Sequence, residues 1–301
     1  MMAYLLGKRE TRHFGIGVVN ASLTTGIRPL LEQYSSMYGR CETQTAGKNE
    51  IAVSVRRRPP SLRRRRRFEV AVNGRVQFEP LRFDELLPYI EWSLNWEVPR
   101  VMPQYLQLHA CSMELDGAGV IFPGASGAGK STLTLGFLTR GWRYLCDEFA
   151  LVHADTLQLH PYPRAICIKR AGFAAVEALG IAVSKGRHHL KGAKGYVSFI
   201  SPTDVRADAV GRPCPIRYVI FPRFEAGAAP ELRPITRSEA AFQLHYVCFN
   251  LLRCRAVGLD VIAGLIRGAA CYRLTTGDLR ATCALVEQTI RRDNREMAQT
   301  A

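Results

Sequence analysis

Long apolar runs are missing from this chain of 301 residues. No stretch approaches the roughly 20 apolar residues that a membrane-spanning helix needs, which argues against a helical membrane protein. The first nine residues have a short apolar stretch with the basic residues after it, the reverse of the order in a secretory signal. We therefore expect a soluble globular protein in the cytoplasm, with no membrane partner.

Paired cysteine motifs are missing as well. The nine cysteines are scattered along the chain, their number is odd, and no C-x-x-C pair occurs. This pattern argues against a disulfide-framed secreted domain and against a zinc site built from cysteine pairs. Reduced thiols in a cytoplasm are the expected state.

Acidic residues are few beside basic ones, 26 against 41, which gives a net charge of +15. The run from Arg56 to Arg67 alone holds eight arginines in twelve residues. Such a run is typical of a solvated loop between two strands, or of a contact with nucleic acid or another acidic partner. No aromatic residue is interleaved, as single-strand binding would require, so the loop is favoured and the acidic partner stays an alternative.

One glycine-rich motif is present that indicates a phosphate-containing ligand. It fits G-x-x-x-x-G-K-[ST], the Walker A phosphate loop (P-loop), whose consecutive backbone N–H groups wrap around a polyphosphate. Its residues are Gly124, Ala125, Ser126, Gly127, Ala128, Gly129, Lys130 and Ser131, with Thr132 next in the chain. We expect Lys130 to reach the terminal phosphates and the Ser131 hydroxyl to bind Mg²⁺, with ATP as the nucleotide.

The flanks of this loop support that interpretation. Residues 119–123 form an apolar run that predicts a buried strand entering the loop, and residues 131–138 predict a helix leaving it. Bound phosphate would then lie at a helix N-terminus, where backbone N–H groups and the helix dipole favour anions.

Two acidic residues follow the loop closely. Asp147 and Glu148 come 17 and 18 residues after Lys130, at the end of the next predicted strand, 143–146. A carboxylate there can bind Mg²⁺ or take a proton from an attacking hydroxyl. The Leu-Ser-Gly-Gly-Gln signature of transport ATPases is absent, which favours a compact kinase.

A histidine precedes the loop. His109 lies 21 residues before Lys130, on a strand predicted over residues 105–115. A histidine on a strand is most often an ordinary core or surface residue. Here, however, the tight Asp116-Gly117 turn joins its strand to the strand that feeds the phosphate loop, so we expect the imidazole near the γ-phosphate end of the site.

The remaining pattern predicts an α/β protein with a small β-rich N-terminal region, residues 1–100, and a P-loop kinase domain, residues 101–301. In the first region Asn73-Gly74 predicts a type I′ hairpin, and Asp84 is expected to cap a helix that ends at Glu97. The C-terminal third is expected to be mostly helical. Strands are predicted at 51–55, 68–72, 149–153, 157–160 and 216–221, and C-terminal helices at 238–253, 259–267 and 278–292.

The order of these motifs resembles that of a known family. Residues 109–119, the phosphate loop, and residues 140–148 are similar to the catalytic core of HPr serine kinase/phosphorylase, where a His-led strand, a phosphate loop and an Asp-Asp pair follow in this order. More narrowly, the chain resembles the HPr-kinase-related group called HprK-related kinase A. The matching stretches are 91–96, 104–109, 221–224 and Cys271-Tyr272.

This resemblance implies a fold and roles. The fold would be a phosphate-loop kinase core of the HPr kinase and phosphoenolpyruvate carboxykinase type, with a mixed central sheet followed by C-terminal helices. Asp147 would be the catalytic carboxylate, His109 the active-site histidine, and Glu148, which replaces the family's second Asp, a magnesium ligand. The family forms hexamers, so the resemblance also implies a homo-oligomer. Its Glu-x-Arg-Gly-Leu-Gly signature is not found, and the nearest segment is 168–173.

We therefore predict an ATP- and Mg²⁺-dependent kinase that transfers the γ-phosphoryl group to a hydroxyl, with Ser of a protein or peptide as the expected acceptor. Its catalytic residues would be Asp147, His109 and Lys130, and its metal ligands Ser131, Asp147 and Glu148. Two alternatives stay open. One is a small-molecule kinase that acts on a metabolite hydroxyl, and the other is a non-catalytic nucleotide-sensing module that binds an acidic partner through the arginine run.

Overall fold

The computed structural model describes residues 6–58, 67–183 and 188–300. Most of the arginine run, residues 59–66, lies outside the described residues, so both interpretations of it stay predictions. The strands are β1 (Leu6–Ile16), β2 (Val19–Ile27), β3 (Glu42–Thr43), β4 (Ile51–Arg57), β5 (Phe68–Val72), β6 (Arg75–Leu81), β7 (Tyr105–Leu108), β8 (Ala110–Leu115), β9 (Ala118–Pro123), β10 (Arg143–Cys146), β11 (Ala150–His153), β12 (Gln158–His160), β13 (Ile166–Lys169), β14 (His189–Leu190), β15 (Tyr196–Ile200), β16 (Cys214–Phe224), β17 (Glu231–Pro234) and β18 (Ala270–Thr276). The helices are α1 (Arg28–Tyr38), α2 (Leu86–Val101), α3 (Lys130–Leu138), α4 (Phe173–Glu177), α5 (Pro202–Val205), α6 (Arg237–Tyr246), α7 (Leu251–Arg267) and α8 (Leu279–Thr300).

The chain divides into two compact units. Unit 1 comprises Met1–Pro103, Tyr162–Phe173 and Ala182–Ser201, and unit 2 comprises Gln104–Pro161, Ala174–Ile181 and Pro202–Ala301. The sequence pattern does not indicate that two later segments join the N-terminal residues. The domain division at residue 100 stays a prediction.

Unit 1 is built on a six-stranded sheet in the order β3-β1-β2-β4-β5-β6. Neighbours run antiparallel except β2 and β4, which are parallel because α1 lies between them in the chain. The predicted hairpin at Asn73-Gly74 is confirmed, since both residues have the positive φ, 49° and 80°, that a type I′ turn requires. A separate three-stranded sheet, β13-β15-β14, is contributed by the two later segments.

The predicted N-terminal cap of α2 is wrong. Asp84 lies inside a short 3₁₀ turn, Phe83–Glu85, and the α-helix begins at Leu86. The Glu85 carboxylate accepts a hydrogen bond of 2.7 Å from the Arg82 N–H, so the first free backbone donor is satisfied from within the turn. The helix also runs past its predicted end at Glu97 to Val101.

Unit 2 is built on a mixed nine-stranded sheet, so the chain is an α/β protein. Its strand order is β10-β8-β9-β16-β12-β11-β7, with β18 added beside β16 and β17 beside β18. Because successive strand residues point to opposite faces, Phe122 packs against Phe137 of α3 on one face, with ring centroids 5.2 Å apart. Its neighbour Ile121 packs in a core with Leu244 of α6 and Ile262 of α7. Helices thus cover both faces of the strand that enters the phosphate loop.

The C-terminal region differs from the prediction in several places. The second predicted helix, 259–267, begins earlier, at Leu251, and the third, 278–292, runs on to Thr300. The first predicted helix, 238–253, ends early at Tyr246, because residues 247–249 leave the helix to pair with β7; the Phe249 N–H donates to the Gln107 carbonyl at 2.9 Å. In addition, β18 runs parallel to β16 between α7 and α8, in a region expected to be mostly helical. Central-strand pairing decides the end of the first helix and the presence of β18, and such pairing is not local in the sequence.

Two further observations concern the chain as a whole. Among the described residues, no helix is long and apolar enough to cross a membrane. The eight cysteines whose side chains are described are not in disulfide bonds: Cys41, Cys111, Cys146, Cys167, Cys214, Cys248, Cys271 and Cys283.

Candidate active site

The glycine-rich loop connects the end of β9 to the start of α3, as its flanks predicted. Gly127 and Gly129 have φ values of 101° and 85°, in the left-handed region that disfavours other residue types. At Gly124 an added Cβ would lie 3.3 Å from the Ala128 Cβ, so the two ends of the loop approach each other closely. The glycines therefore sit where this tight turn needs them, and the loop delivers the backbone directly to the N-terminus of α3.

Lys130 is the first residue of α3 and is only 8% exposed. Its ammonium donates to the carbonyl of Gly124 and, at 3.0 Å, to the carbonyl of Ala125. The Nζ atom also lies 3.3 Å from Nε2 of His109. The side chain is thus folded back over the loop, which concentrates positive charge where the loop closes.

His109 interrupts the strand that the sequence predicts over residues 105–115. β7 ends at Leu108 and β8 begins at Ala110, and the two strands lie at or next to opposite ends of the strand order. The His109 N–H donates to the Val247 carbonyl at 2.7 Å, and the His109 carbonyl accepts from the Gly124 N–H at 3.4 Å. The backbone of His109 is therefore held on both sides at the point where the chain crosses from one part of the sheet to the other.

Ser131 and Asp147 meet across the same loop. The Ser131 hydroxyl donates to Oδ2 of Asp147 at 2.9 Å, although the two residues are 16 positions apart. Asp147 follows β10 directly, and β10 pairs with β8 beside the phosphate-loop strand, which brings the carboxylate to the N-terminus of α3. It is 6% exposed. Glu148 and Thr132 are half-buried, and their roles stay predictions.

Two phenylalanines, which the sequence did not indicate as site residues, lie beside His109. The ring of Phe249 lies 5.6 Å from the imidazole, the ring of Phe149 lies 6.4 Å from it, and the two phenylalanine rings are 4.9 Å apart. Phe149 directly follows Asp147 and Glu148 in the sequence, and this position could have placed it near the site. Phe249 has no local signal, because only the pairing of residues 247–249 with β7 brings it here.

A thiol also lies close to the site. Burial raises the pKa of Cys111, on β8, to about 12, and the nearby Asp147 adds to the rise, while a hydrogen bond with Thr134 opposes it. The thiol therefore stays protonated near neutral pH. Because the thiolate is the nucleophilic form of cysteine, Cys111 is not a nucleophile for this site.

Metal-binding side chains are sparse here. Within the parts of the chain that the structure describes, no group of three or more His, Cys, Asp or Glu side chains is arranged to hold a metal ion. A dedicated protein cage for a metal is therefore absent from those residues. The Ser131–Asp147 pair offers instead a hydroxyl and a carboxylate, the hard oxygen ligands that Mg²⁺ accepts.

Comparison with known proteins finds relatives for part of the chain. A stretch of 88 residues is 34% identical to the HPr kinase/phosphorylase of Xanthomonas campestris pv. campestris (strain B100), and a stretch of 81 residues is 36% identical to that of Xylella fastidiosa (strain M12). These matches confirm the resemblance to the HPr kinase family. The narrower likeness to HprK-related kinase A stays a prediction.

The extent of the match to the HPr kinases is limited. It covers 28% of this chain and 27% of the Xanthomonas protein, and 26% and 24% for the Xylella protein, so the chain matches about a quarter of the length of these relatives. No family model matches. The structure of the Hpr(Ser) kinase/phosphatase from Coxiella burnetii aligns over 64% of this chain and 93% of that one, with a TM-score of 0.32 and 15% identity.

Proposed function

We propose that unit 2 is a phosphate-loop kinase that transfers the γ-phosphoryl group of ATP, with Mg²⁺, to the hydroxyl of Ser in a protein or peptide. One observation carries the proposal: two contacting pairs, Lys130 with His109 and Ser131 with Asp147, meet at the adjacent residues 130 and 131 of a Walker A motif. The partial likeness to proteins named HPr kinase/phosphorylase supports a protein acceptor.

The loop would hold the nucleotide through its polyphosphate. Backbone N–H groups of residues 125–129 and the N-terminus of α3 would provide donors and a positive dipole end, with the Ala128 N–H leaving its present bond to the Ala125 carbonyl. Lys130 would exchange its present contacts with the Gly124 and Ala125 carbonyls for oxygens of the terminal phosphates. Because these contacts all go to phosphates, they do not select the base.

The residues present fit a magnesium ion. Mg²⁺ usually keeps several waters and takes only one or two carboxylates besides phosphate oxygens, so the Ser131 hydroxyl and the Asp147 carboxylate suffice, with Glu148 as a further ligand. When bound, the ion would offset negative charge on the phosphates and orient them.

Asp147 would also receive or orient the proton of the acceptor hydroxyl. Its burial strengthens this electrostatic role, because charges interact more strongly away from water. His109 has a supporting part: an ammonium only donates, so Nε2 of His109 acts as the acceptor in the Lys130 contact, and a neutral ring then carries its proton on Nδ1. His109 would in this way orient the Lys130 side chain.

The experiment uses the full chain, Mg²⁺ and ATP labelled in the γ-phosphate, with an HPr protein and a lysate from the source organism as acceptors. We expect label in a polypeptide, and no transfer by Lys130→Ala or Asp147→Asn protein whose thermal melt matches that of the unaltered chain. Calorimetry with magnesium ATP provides the binding measurement.

Three outcomes would contradict the proposal in different ways. An absence of magnesium ATP binding would remove the nucleotide site. Label found in a small molecule and in no polypeptide would remove the protein acceptor. Full transfer by Asp147→Asn would remove Asp147 from its role in handling the proton.

A further inference from the structure

A basic cavity lies in unit 2 at the opposite end of β9 from the phosphate loop. Its volume is about 600 Å³, and it opens widely to solvent. β9 has six residues, so the two ends are roughly 20 Å apart at the usual rise along a strand. The cavity is lined by Asp116, Gly117, Ala118, Pro215, Arg217, Arg291, Asn294 and Arg295.

Positive charge dominates this lining. Arg217 comes from β16, whereas Arg291 and Arg295 come from successive turns of α8. Arg291 pairs with Asp116 at 3.0 Å and with Glu287 at 3.1 Å, which fixes its side chain. Among the described residues, neither Arg217 nor Arg295 has a carboxylate within ion-pair distance. Three guanidinium groups therefore face one lining carboxylate, which is already paired.

Asn294 adds a neutral donor to the same cavity. Its Oδ1 accepts a hydrogen bond of 3.1 Å from the Tyr218 hydroxyl. Tyr218 is buried, and burial raises its pKa to about 12, so the hydroxyl stays protonated and keeps donating. This bond anchors the Asn294 side chain, whose NH₂ group is a neutral donor among the lining side chains. Side chains that line the cavity from two elements thus offer donors.

A neighbouring cavity provides a contrast within the same unit. It shares Gly117 and Pro215 with the basic cavity but is lined by Arg143 and Arg212 together with Glu114 and Asp208. Arg143 is paired with Asp208 at 2.7 Å, and the two signs of charge balance. The charge excess in the basic cavity is therefore not a general property of this end of the sheet.

We infer that the basic cavity is a second anion site, which binds a small ligand with adjacent phosphate groups, such as a diphosphate. Guanidinium groups match phosphate oxygens in paired hydrogen bonds, and a diphosphate carries enough charge to engage both arginines that lack carboxylates. The cavity volume lies within the usual range of small-molecule sites. The net charge of +15 would draw such ligands to the protein.

The test titrates pyrophosphate into the full chain carrying Lys130→Ala, so that the phosphate loop contributes little. The variant is Arg217→Gln with Arg295→Gln. The matched control is Arg212→Gln with Arg292→Gln. It removes the same two positive charges, one just before β16 and one on α8, from residues that do not line the basic cavity. We expect the dissociation constant to rise at least tenfold in the variant and less than twofold in the control.

Equal losses in the two double variants would overturn the inference, since general charge would then explain binding. It would also fail if pyrophosphate did not bind, whether or not a single-stranded oligonucleotide did. Cavity-dependent binding of ADP as well as pyrophosphate would assign the ligand to nucleotides, and binding of pyrophosphate alone to other phosphates; both support the site. Because magnesium ATP binding by the unaltered chain is measured separately, failure of the proposed kinase site leaves this test intact.

Discussion

Replacing Arg164 by Met provides the most direct test of what holds unit 1 together. Arg164 belongs to the later segment Tyr162–Phe173, and its guanidinium forms a buried ion pair of 2.7 Å with Glu91 of α2. Further bonds reach the Glu91 carbonyl and the Asn95 side chain. This pairing joins α2 to a segment some 70 residues further along the chain within unit 1.

The expected cost follows from burial. Glu91 is 1% exposed, and without Arg164 its carboxylate keeps the bond of 2.9 Å from the Tyr38 hydroxyl but loses its opposite charge. Breaking a buried pair from one side costs about 3–5 kcal/mol, because an uncompensated charge remains. If the free energy of unfolding falls by about 2 kcal/mol per molar urea, the urea concentration at the unfolding midpoint of unit 1 should fall by about 1.5–2.5 M.

Tryptophan fluorescence in a urea titration measures this, since two of the three tryptophans, Trp92 and Trp96, lie on the same helix as Glu91. The control is the double variant Glu91→Leu with Arg164→Met, which removes both charges. It should recover most of the loss, because replacing a whole buried ion pair by apolar groups is often neutral. A midpoint for Arg164→Met within 0.3 M of the unaltered chain, a shift of about 0.6 kcal/mol, would refute the assigned cost.

Four further predictions concern unit 2. Asp147→Asn should lower phosphoryl transfer at least 100-fold, the usual size of a general-base contribution, with an unchanged thermal melt; a smaller loss would count against the role. His109→Gln, which keeps an acceptor for Lys130, should retain more transfer than His109→Leu, and equal rates would argue against that contact. Gly129→Ala places a side chain at φ 85° and should weaken magnesium ATP binding at a cost of about 1–2 kcal/mol, whereas Gly39→Ala, at φ −56°, should not. The pKa of Cys111 is about 12, against 9.0 for an unburied thiol, so Cys111 should resist iodoacetamide at pH 8 in the native protein and react after denaturation. Its contribution to the free energy of unfolding is complete below pH 9 and is lost as the pH rises toward 12.

The residue types in the sequence were enough to predict the conformation of the hairpin turn and of the glycine-rich loop. Asn73-Gly74 predicts its hairpin, and the glycines at 127 and 129 occupy left-handed backbone, because these conformations depend on the residue itself. Apolar runs likewise predict β9 and α3, whose burial is set by their own pattern. The conformation of the glycine-rich loop and of its flanks could therefore be predicted without any coordinates.

Only the tertiary structure decided which distant residues meet. The break at His109, the arrival of Phe249 beside it, and the bond between Ser131 and Asp147 all depend on the order in which strands pair. The same holds for Arg164 and Glu91 in unit 1, and for the basic cavity, where Arg217 lies more than 70 residues before the two arginines of α8. Strand order is set by burial and pairing over the whole sheet, and no local window of sequence contains that information.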